Sequence, residues 1–281
     1  MILDIFLSMD EFRKYAPGVE ATLLEETIYP SFSVARKKIT TVIDKAVYDA
    51  VIASSETDPK EYLKLALANY TCHEYEIFVA VSKNASDGKM YKYQIEDIKE
   101  KHLSMFWTGM DDLLTWLDDH LDTGDWKATK QYKERQELPL KNASEFSYYF
   151  NINNSGYFFS RVIFLIREIH EDTILPRIPD FGAASDKIKQ MAMRALCYGV
   201  MARAVLIFDI TELPESIRKD VAHEFTKSGS EVQSREKLYN VFTSKAEEYY
   251  QALDIALKDA SGVLTTTVNH NKEEDKFYVI S

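Results

Sequence analysis

Apolar side chains recur every three or four positions along most of the chain, which is the spacing of one face of an amphipathic helix. The clearest run lies at residues 94–121, and similar runs occupy residues 31–53 and 59–81. The apolar stripe of the clearest run consists of Leu103, Phe106, Trp107, Met110, Leu113, Leu114, Leu117 and Leu121. We therefore predict three long helices in the first half of the chain.

The same order of helices is predicted to repeat in the second half. Residues 155–175 match the first predicted helix in pattern, residues 186–208 match the second, and residues 232–260 match the third. Paired acids followed by paired apolar residues occur in both copies of the third helix, as DDLL and as EEYY. Such self-similarity is typical of a duplicated unit, although amphipathic helices also align loosely with one another. The pattern predicts a mainly α protein made of two tandem helical units with three to four helices each.

The boundaries of these units follow from where the helical patterns stop. The first helical unit covers residues 1–121 and the second covers 146–261, with a polar connecting segment at 122–145 and a tail at 262–281. A structureless loop of that length is uncommon, so we expect the connecting segment to run over a surface or to contact another chain. Helix should account for more than about 60% of the residues, well above the average for globular proteins.

A turn signal separates the second and third predicted helices. Asp87 and Gly88 form an Asp-Gly pair that is flanked by alternating polar and apolar residues. That combination favours a two-residue turn between short strands. We predict a small β-hairpin or an extended loop over residues 82–93.

The composition excludes several classes of protein. Only nine glycines and seven prolines interrupt the chain, which favours long helices and argues against a glycine-rich phosphate-binding fold. The net charge of −11 argues against non-specific binding of nucleic acid. Cys72 and Cys197 lie among apolar residues of predicted helices and are interpreted as core residues of a protein in a reducing compartment. No run of apolar residues is long enough to predict a transmembrane helix.

The acidic segment MDDLLTWLDDH, residues 110–120, raises the question of a metal site. Asp118, Asp119 and Asp122 converge near the end of the predicted helix and, with His120, could hold a cation in a metal-dependent enzyme. Two or three mobile carboxylates rarely satisfy a hard cation, which takes six or more oxygen ligands. We therefore favour a solvated acidic face, with no catalytic residue, no metal and no cofactor assigned.

The aromatic segment FSYYFNINNSGYFF, residues 146–159, is denser in aromatic side chains than a helical core requires. Clusters of tyrosine and phenylalanine are enriched at the centres of protein interfaces. Burial between the two helical units would account for the segment equally well. Both interpretations stay open at the level of sequence.

Several stretches resemble, in the same order, a family of structural proteins encoded by tailed phages of Bacteroidetes hosts, including crAss-like phages. LKLALANYTCHEYEIFVAVS resembles the central helix of that family, and YYFNINNSGYFFSRVIFLIREIHEDTILPRI resembles the start of its second unit. The chain departs from the family pattern at ILPRIPDFGAAS, which is short, and where a proline-containing loop replaces the second hairpin. The resembling stretches are residues 9–52, 63–82, 91–119, 148–178 and 238–253.

The resemblance implies a non-enzymatic virion protein of the head–tail connector type, also called a head-completion adaptor. Such a protein forms a ring under the portal at the neck of the virion, after synthesis in the host cytoplasm. Its implied partners are the portal protein, about eleven neighbouring copies in a closed ring, and further ring or tail proteins. DNA would pass through the channel without sequence-specific binding, and no membrane is involved. A bacterial helical-repeat interaction scaffold without a virion role is the alternative.

Three exposed-looking segments are the predicted interfaces. They are the segment between the second and third helices, the connecting segment, and the apolar end of the tail, each rich in aromatic or basic residues. The candidate interface residues are Lys83, Asp87, Lys89, Tyr91, Tyr93, Trp126, Tyr132, Phe277, Tyr278, Val279 and Ile280.

Overall fold

A computed structural model describes residues 2–17, 23–85, 92–120 and 124–260. Within these residues the chain is 81% helix and contains no strand, which confirms the predicted mainly α class and its helix content. The first six helices are α1 (Met9–Tyr15), α2 (Glu25–Ile43), α3 (Lys45–Ala53), α4 (Asp58–Ala85), α5 (Lys92–Asp119) and α6 (Gly124–Ala128). The other six are α7 (Lys130–Gln136), α8 (Ala143–Tyr149), α9 (Gly156–Ile169), α10 (Asp186–Ile207), α11 (Glu215–Ser228) and α12 (Glu231–Ala260).

The first predicted helix is divided in two. Asp44 adopts a φ of +69°, a value that a right-handed helix cannot accommodate, so α2 ends before it and α3 begins after it. The Asp44 side chain then accepts a hydrogen bond from the Ala46 backbone N–H and caps α3. The apolar stripe nevertheless continues through both helices, from Phe32 to Val51, and faces the core.

The predicted hairpin is replaced by helix at both of its ends. Lys83 lies in α4 and Tyr93 lies in α5, so the two residues are helical and not in strands. Each long helix extends further because adding one residue to an existing helix costs little once the first turn has formed. Residues 86–91, which include the Asp-Gly turn, lie outside the described residues.

The two halves share one hydrophobic core. α4 packs lengthwise against α5 and α10 packs lengthwise against α12, while α2 and α5 both contact α9. Tyr157 of α9 sits between the rings of Phe106 and Trp107 of α5, at centroid distances of 5.1 and 4.9 Å. The buried cluster continues from Ile2 at one end of the described chain to Leu253 at the other.

Helix α10 is the core helix of the second half. It is the one described helix that is long and apolar enough to cross a membrane, but 56% of its most apolar window is buried inside the protein. Ala192, Leu196, Val200 and Ala204 are fully buried and face neighbouring helices. Its apolar composition is therefore explained by packing within the fold.

Candidate interaction surfaces and the acidic segment

Asp118 of the acidic segment holds the connecting segment against α5. Its carboxylate accepts hydrogen bonds from both terminal nitrogens of Arg135, one of them at 3.0 Å, and from the indole N–H of Trp126 at 2.7 Å. The Arg135 guanidinium also lies over the rings of Trp126 and Tyr132, at 5.4 and 4.4 Å. We call Asp118, Trp126, Tyr132 and Arg135 the Arg135 clamp; it ties α6 and α7 to the first half of the chain.

The Arg135 clamp accounts for the position of Asp118 without a metal ion. Its oxygens already accept three hydrogen bonds from the chain's own donors and are paired with a buried cation. The His120 ring stacks on Trp116 at 4.2 Å and its Nδ1 lies 2.8 Å from the Trp116 carbonyl oxygen. Asp119 is exposed, and Asp122 lies outside the described residues. Among described residues, no three His, Cys, Asp or Glu side chains converge on one point.

Asp111 was predicted to lie on a solvated face, and that prediction is wrong. Its Oδ1 accepts hydrogen bonds from the Ser155 hydroxyl at 2.9 Å and from the Tyr157 backbone N–H at 2.8 Å. The Ser155 hydroxyl in turn accepts from the Phe158 N–H at 3.1 Å, so both side chains cap the first turn of α9. Burial raises the pKa of Asp111 to about 6. This buried polar joint connects α5 to α9, and therefore one half to the other.

A second buried charge lies next to this joint. Arg218 of α11 pairs with Glu100 of α5 at 2.9 Å, donates to the Leu213 carbonyl at 2.8 Å, and lies over the Trp107 ring at 5.4 Å. A small cavity of about 140 Å³ separates Arg218 from Asp111. Both residues act between helices and fix how α5, α9 and α11 meet.

A polar cleft lies at the end of α5. Its volume is about 580 Å³, and it is bounded by α5, α7, α8 and the start of α9. The Arg135 clamp forms one wall, and Lys141 and Asp119 stand at exposed positions around it. Within this wall the Asp118 carboxylate is paired with the Arg135 guanidinium, which stabilises the junction of α5 with α7.

Two of the predicted interface residues, Trp126 and Tyr132, belong to the Arg135 clamp. Trp126 is only 2% exposed because its N–H donates to Asp118 and its ring packs on Arg135, so its position differs from the predicted one. Tyr132 is half-buried in the same clamp. Lys83 and Tyr93 lie in helices, as described above. The residues outside the described part of the chain are Asp87, Lys89, Tyr91, Phe277, Tyr278, Val279 and Ile280.

The aromatic segment is mostly buried inside the fold, and its Tyr157 packs against Phe106 and Trp107 of α5. Phe146, Tyr157, Phe158 and Phe159 are fully buried. The structure therefore favours the interpretation that the segment packs inside the fold. Tyr148 is the exception, with 71% of its surface exposed.

Two exposed apolar surfaces were missed from the sequence. Phe164, Leu206 and Ile207 are 46–59% exposed around the end of α10, where the Phe164 ring lies 6.0 Å from the buried Phe208 ring. The other surface is a groove beside Tyr148. The sequence signal for the surface at the end of α10 was the unbroken apolar run VLIF. Four consecutive apolar residues cannot all lie on one face of a helix, so some of them must point outward. Large exposed apolar patches on a protein surface are often sites of protein–protein contact.

Comparison with known proteins adds one finding. Residues 22–136 match a family of unknown function, DUF6712. The match begins just before α2 and ends with α7, so it includes the helices of the Arg135 clamp together with α2 to α5. No curated protein and no solved structure matches the chain.

Proposed function

We propose that the chain is a structural subunit of a phage head–tail connector, forming a closed ring under the portal. It would have no enzymatic activity and would bind the portal, copies of itself and the next tail component. The resemblance described above implies this role, and the two halves are proposed to be a tandem duplication of one helical unit. The proposal depends mainly on one observation, the similar order of helices in the two halves. In each half, a shorter helix is followed by two long helices that pair lengthwise.

The repeated order supports a duplicated unit. In the first half a shorter helix, α2, packs on α4, and α4 pairs lengthwise with α5. In the second half α9 packs on α10, and α10 pairs lengthwise with α12. The paired helices have similar lengths, 28 and 28 residues in the first half and 22 and 30 in the second. A shared hydrophobic core joins the two halves into one packed unit, which suits a ring subunit.

The chemistry of the described charged residues also supports a structural role. Asp118 and Arg135 fix α7 on α5, Asp111 caps α9, and Arg218 joins α11 to α5. Each of these buried groups acts between helices. The net charge of −11 would in addition repel the phosphates of DNA in a conduit and let the duplex slide.

The apolar surface of Phe164, Leu206 and Ile207 is the proposed contact with a neighbouring copy. An exposed apolar patch is unfavourable in water and gains stability when a partner covers it. Closed rings use such heterologous contacts, in which one surface meets a different surface of the next copy. Burial of the patch would be completed only in the assembled ring.

The experiment is assembly with the portal. We expect the gene to lie beside portal and capsid genes, and the purified protein mixed with that portal protein to form closed rings of about twelve copies by electron microscopy. Ile207→Asp places a charge in the proposed contact and should reduce ring occupancy at least about tenfold, because burying an unpaired charge is costly.

The matched control is Val232→Asp, at an exposed position on α12 (65% exposed, against 59% for Ile207). It should leave both ring occupancy and the melting temperature of the free protein unchanged. A chain that binds no portal and whose gene lies far from virion genes would contradict the proposed role. Equal occupancy for both variants would contradict only the proposed contact surface.

A further inference from the structure

Helix α10 carries two apolar surfaces at different points along its length. The first is the exposed surface of Phe164, Leu206 and Ile207, which we call the α10 end patch. The second is a groove of about 320 Å³ that includes Met193 of α10, and we call it the Tyr148 groove. The groove is lined mainly by Pro139, Leu140, Tyr148, Tyr149 and Met193.

The two surfaces have complementary forms. In the groove Leu140 and Met193 are buried, whereas Tyr148 is 71% exposed, with its ring perpendicular to that of Tyr149 at a centroid distance of 4.9 Å. In the patch the Ile207 side chain is 59% exposed. An apolar depression beside an exposed aromatic ring is a common site for a single aliphatic side chain from a partner.

The charges beside the two surfaces are opposite. Arg203 lies four residues before Ile207, on the same side of α10, and its side chain is 36% exposed. Glu145 is exposed and lines the Tyr148 groove, where its carboxylate accepts hydrogen bonds from two nearby amide groups. Arg203 pairs with Glu168 at 2.6 Å, but a guanidinium has five N–H donors and can bind a second carboxylate. The patch of one molecule therefore complements the groove of another in charge as well as in form.

One chain cannot bring these two surfaces together. Both include residues of α10, and the 14 residues from Met193 to Ile207 correspond to about 21 Å along a continuous helix. The occupant of the groove is therefore a second copy. Such a contact joins two different surfaces, which makes it heterologous, and heterologous contacts generate rings when the rotation closes.

The contact is small for a pair of free molecules. The exposed parts of Phe164, Leu206, Ile207 and Tyr148 amount to roughly 450 Å², if a fully exposed large side chain offers about 200 Å². Stable interfaces bury about 1,200 to 2,000 Å² in total. The contact is therefore weak between free chains and is completed when a scaffold holds the copies side by side, as the portal would.

We propose that the α10 end patch of one copy binds the Tyr148 groove of the next, with Ile207 against Met193 and Arg203 beside Glu145. This inference rests on the proposed function for its first surface and adds the surface that the first one meets. Each copy then uses both surfaces, one for each of its neighbours.

The test is disulfide formation between two variants that each carry one added surface cysteine, mixed at about one millimolar without portal. Leu206→Cys places the thiol in the patch, and Ser144→Cys places it at an exposed position of the groove. Mass spectrometry under non-reducing conditions should show the mixed disulfide forming at least about tenfold faster than either symmetric one. Cys72 and Cys197 are buried and do not compete. Each rate is divided by the rate of the same thiol with a small neutral disulfide, which removes differences in thiol reactivity.

The matched control moves the groove cysteine to Ser244, an exposed serine on α12 that is not part of the groove. Ser244→Cys mixed with Leu206→Cys should react at least about tenfold more slowly than the Ser144→Cys mixture, because no contact raises the local concentration there. Adding Tyr148→Ala to the groove variant should reduce its rate to that of the control. Tyr148 is exposed, so this truncation leaves the melting temperature unchanged.

A charge exchange tests the orientation of the contact. Glu145→Lys in the groove variant, or Arg203→Glu in the patch variant, should each slow the mixed disulfide about fivefold. The two changes together should restore most of the rate, because the pair is then reversed across the contact. A loss of folding in either variant would not be restored by a change in the other chain.

Two outcomes would overturn the proposal. Equal corrected rates for the Ser144 and Ser244 variants would show that the patch has no preference for the groove. Symmetric disulfides that form as fast as the mixed one would show an isologous contact. Rings that assemble on the portal without this preference would contradict only the proposed contact, whereas a preferred mixed disulfide in a chain that binds no portal would contradict only the proposed function.

Discussion

The α4–α5 pair and the α10–α12 pair are the two long helix pairs of the fold, and different chemistry holds each pair together. Between α4 and α5 the backbones meet directly at Gly109, where an added Cβ would lie 2.7 Å from the Ala66 nitrogen. Polar side chains are buried beside this contact: Asn69 donates to the Tyr15 carbonyl at 2.8 Å and accepts from His102 at 2.9 Å. This pair depends on a close approach and on satisfied hydrogen bonds.

The α10–α12 pair is separated by aromatic rings. Phe242 of α12 meets Phe150 edge to face at 5.3 Å and lies 6.4 Å from the ring of Tyr198. Arg177 covers the outer ring, Tyr250, at 4.9 Å. Large rings can adjust to one another, whereas a backbone contact and a buried hydrogen bond tolerate little change. The two helix pairs therefore differ in how much change their contacts tolerate.

The sharpest test exchanges glycine for alanine in both pairs. Gly109→Ala should lower the free energy of unfolding by about 3 kcal/mol, because the new methyl group meets backbone atoms of Ala66 and Tyr62 and forces the helices apart. Gly199→Ala in α10 should change it by less than about 1 kcal/mol, since its methyl group meets the mobile end of Ile169 and alanine favours helix. Urea unfolding of both variants measures the difference. Equal losses of unfolding free energy in the two variants would contradict the proposed difference between the two helix pairs.

Acid should weaken the α4–α5 pair first. Burial lowers the pKa of His102 to about 4, so the folded state keeps this imidazole neutral. Its contribution is complete above about pH 6.5 and is lost as the pH falls from 6.5 toward 4, by about 2 to 3 kcal/mol. His102→Gln should flatten the pH dependence of unfolding in this range. The exposed His223→Gln is the control and should leave it unchanged.

Asp111 should act in the opposite direction over nearly the same range. Burial raises its folded pKa to about 6, so charging this carboxyl costs stability as the pH rises from about 4 to 6. Asp111→Asn keeps an oxygen that can accept from Ser155 and Tyr157 and carries no charge. The variant should be about 2 kcal/mol more stable than the natural chain at pH 8 and equal to it below pH 4. The control is the exposed Asp119→Asn variant. In chemical denaturation its difference in unfolding free energy from the natural chain should not change with pH in this way.

The smallest effect is expected in the aromatic pair. Phe242→Leu retains most of the buried apolar volume and loses the edge-to-face contacts with Phe150 and Tyr198, at a cost of about 1 kcal/mol. Differential scanning calorimetry would record a modest decrease in melting temperature. A loss as large as that of Gly109→Ala would show that the second pair is as intolerant as the first. Phe225→Leu, at an exposed position on α11, controls for the loss of a ring alone.

Most helices could be predicted from the sequence, because a helical stripe is a local pattern. The predicted stripe from Leu103 to Leu117 is buried, and the second and third helices begin and end within a few residues of expectation. The hairpin prediction failed at Lys83 and Tyr93 because a local alternation is a weak signal beside two long helices that extend toward it. The break at Asp44 required a backbone angle that no residue pattern reveals.

The roles of the charged residues could not be predicted from the sequence in this way. Asp111 and Asp118 occupy equivalent-looking positions in one acidic segment, yet one caps a helix 44 residues away and the other pairs with an arginine 17 residues away. Spacing along a helix shows only which side chains share a face. Their partners lie on other helices, and only packing brings these together.

By itself, the sequence determined that this protein is helical and where its long helices lie, because hydrophobic periodicity acts within each helix. The tertiary structure alone decided that Gly109 is a contact point, that Trp126 is buried, and that Tyr148 is left exposed. Those outcomes depend on how closely separate helices approach one another. That distance is set by the side chains of both partners at once, and neither helix encodes it alone.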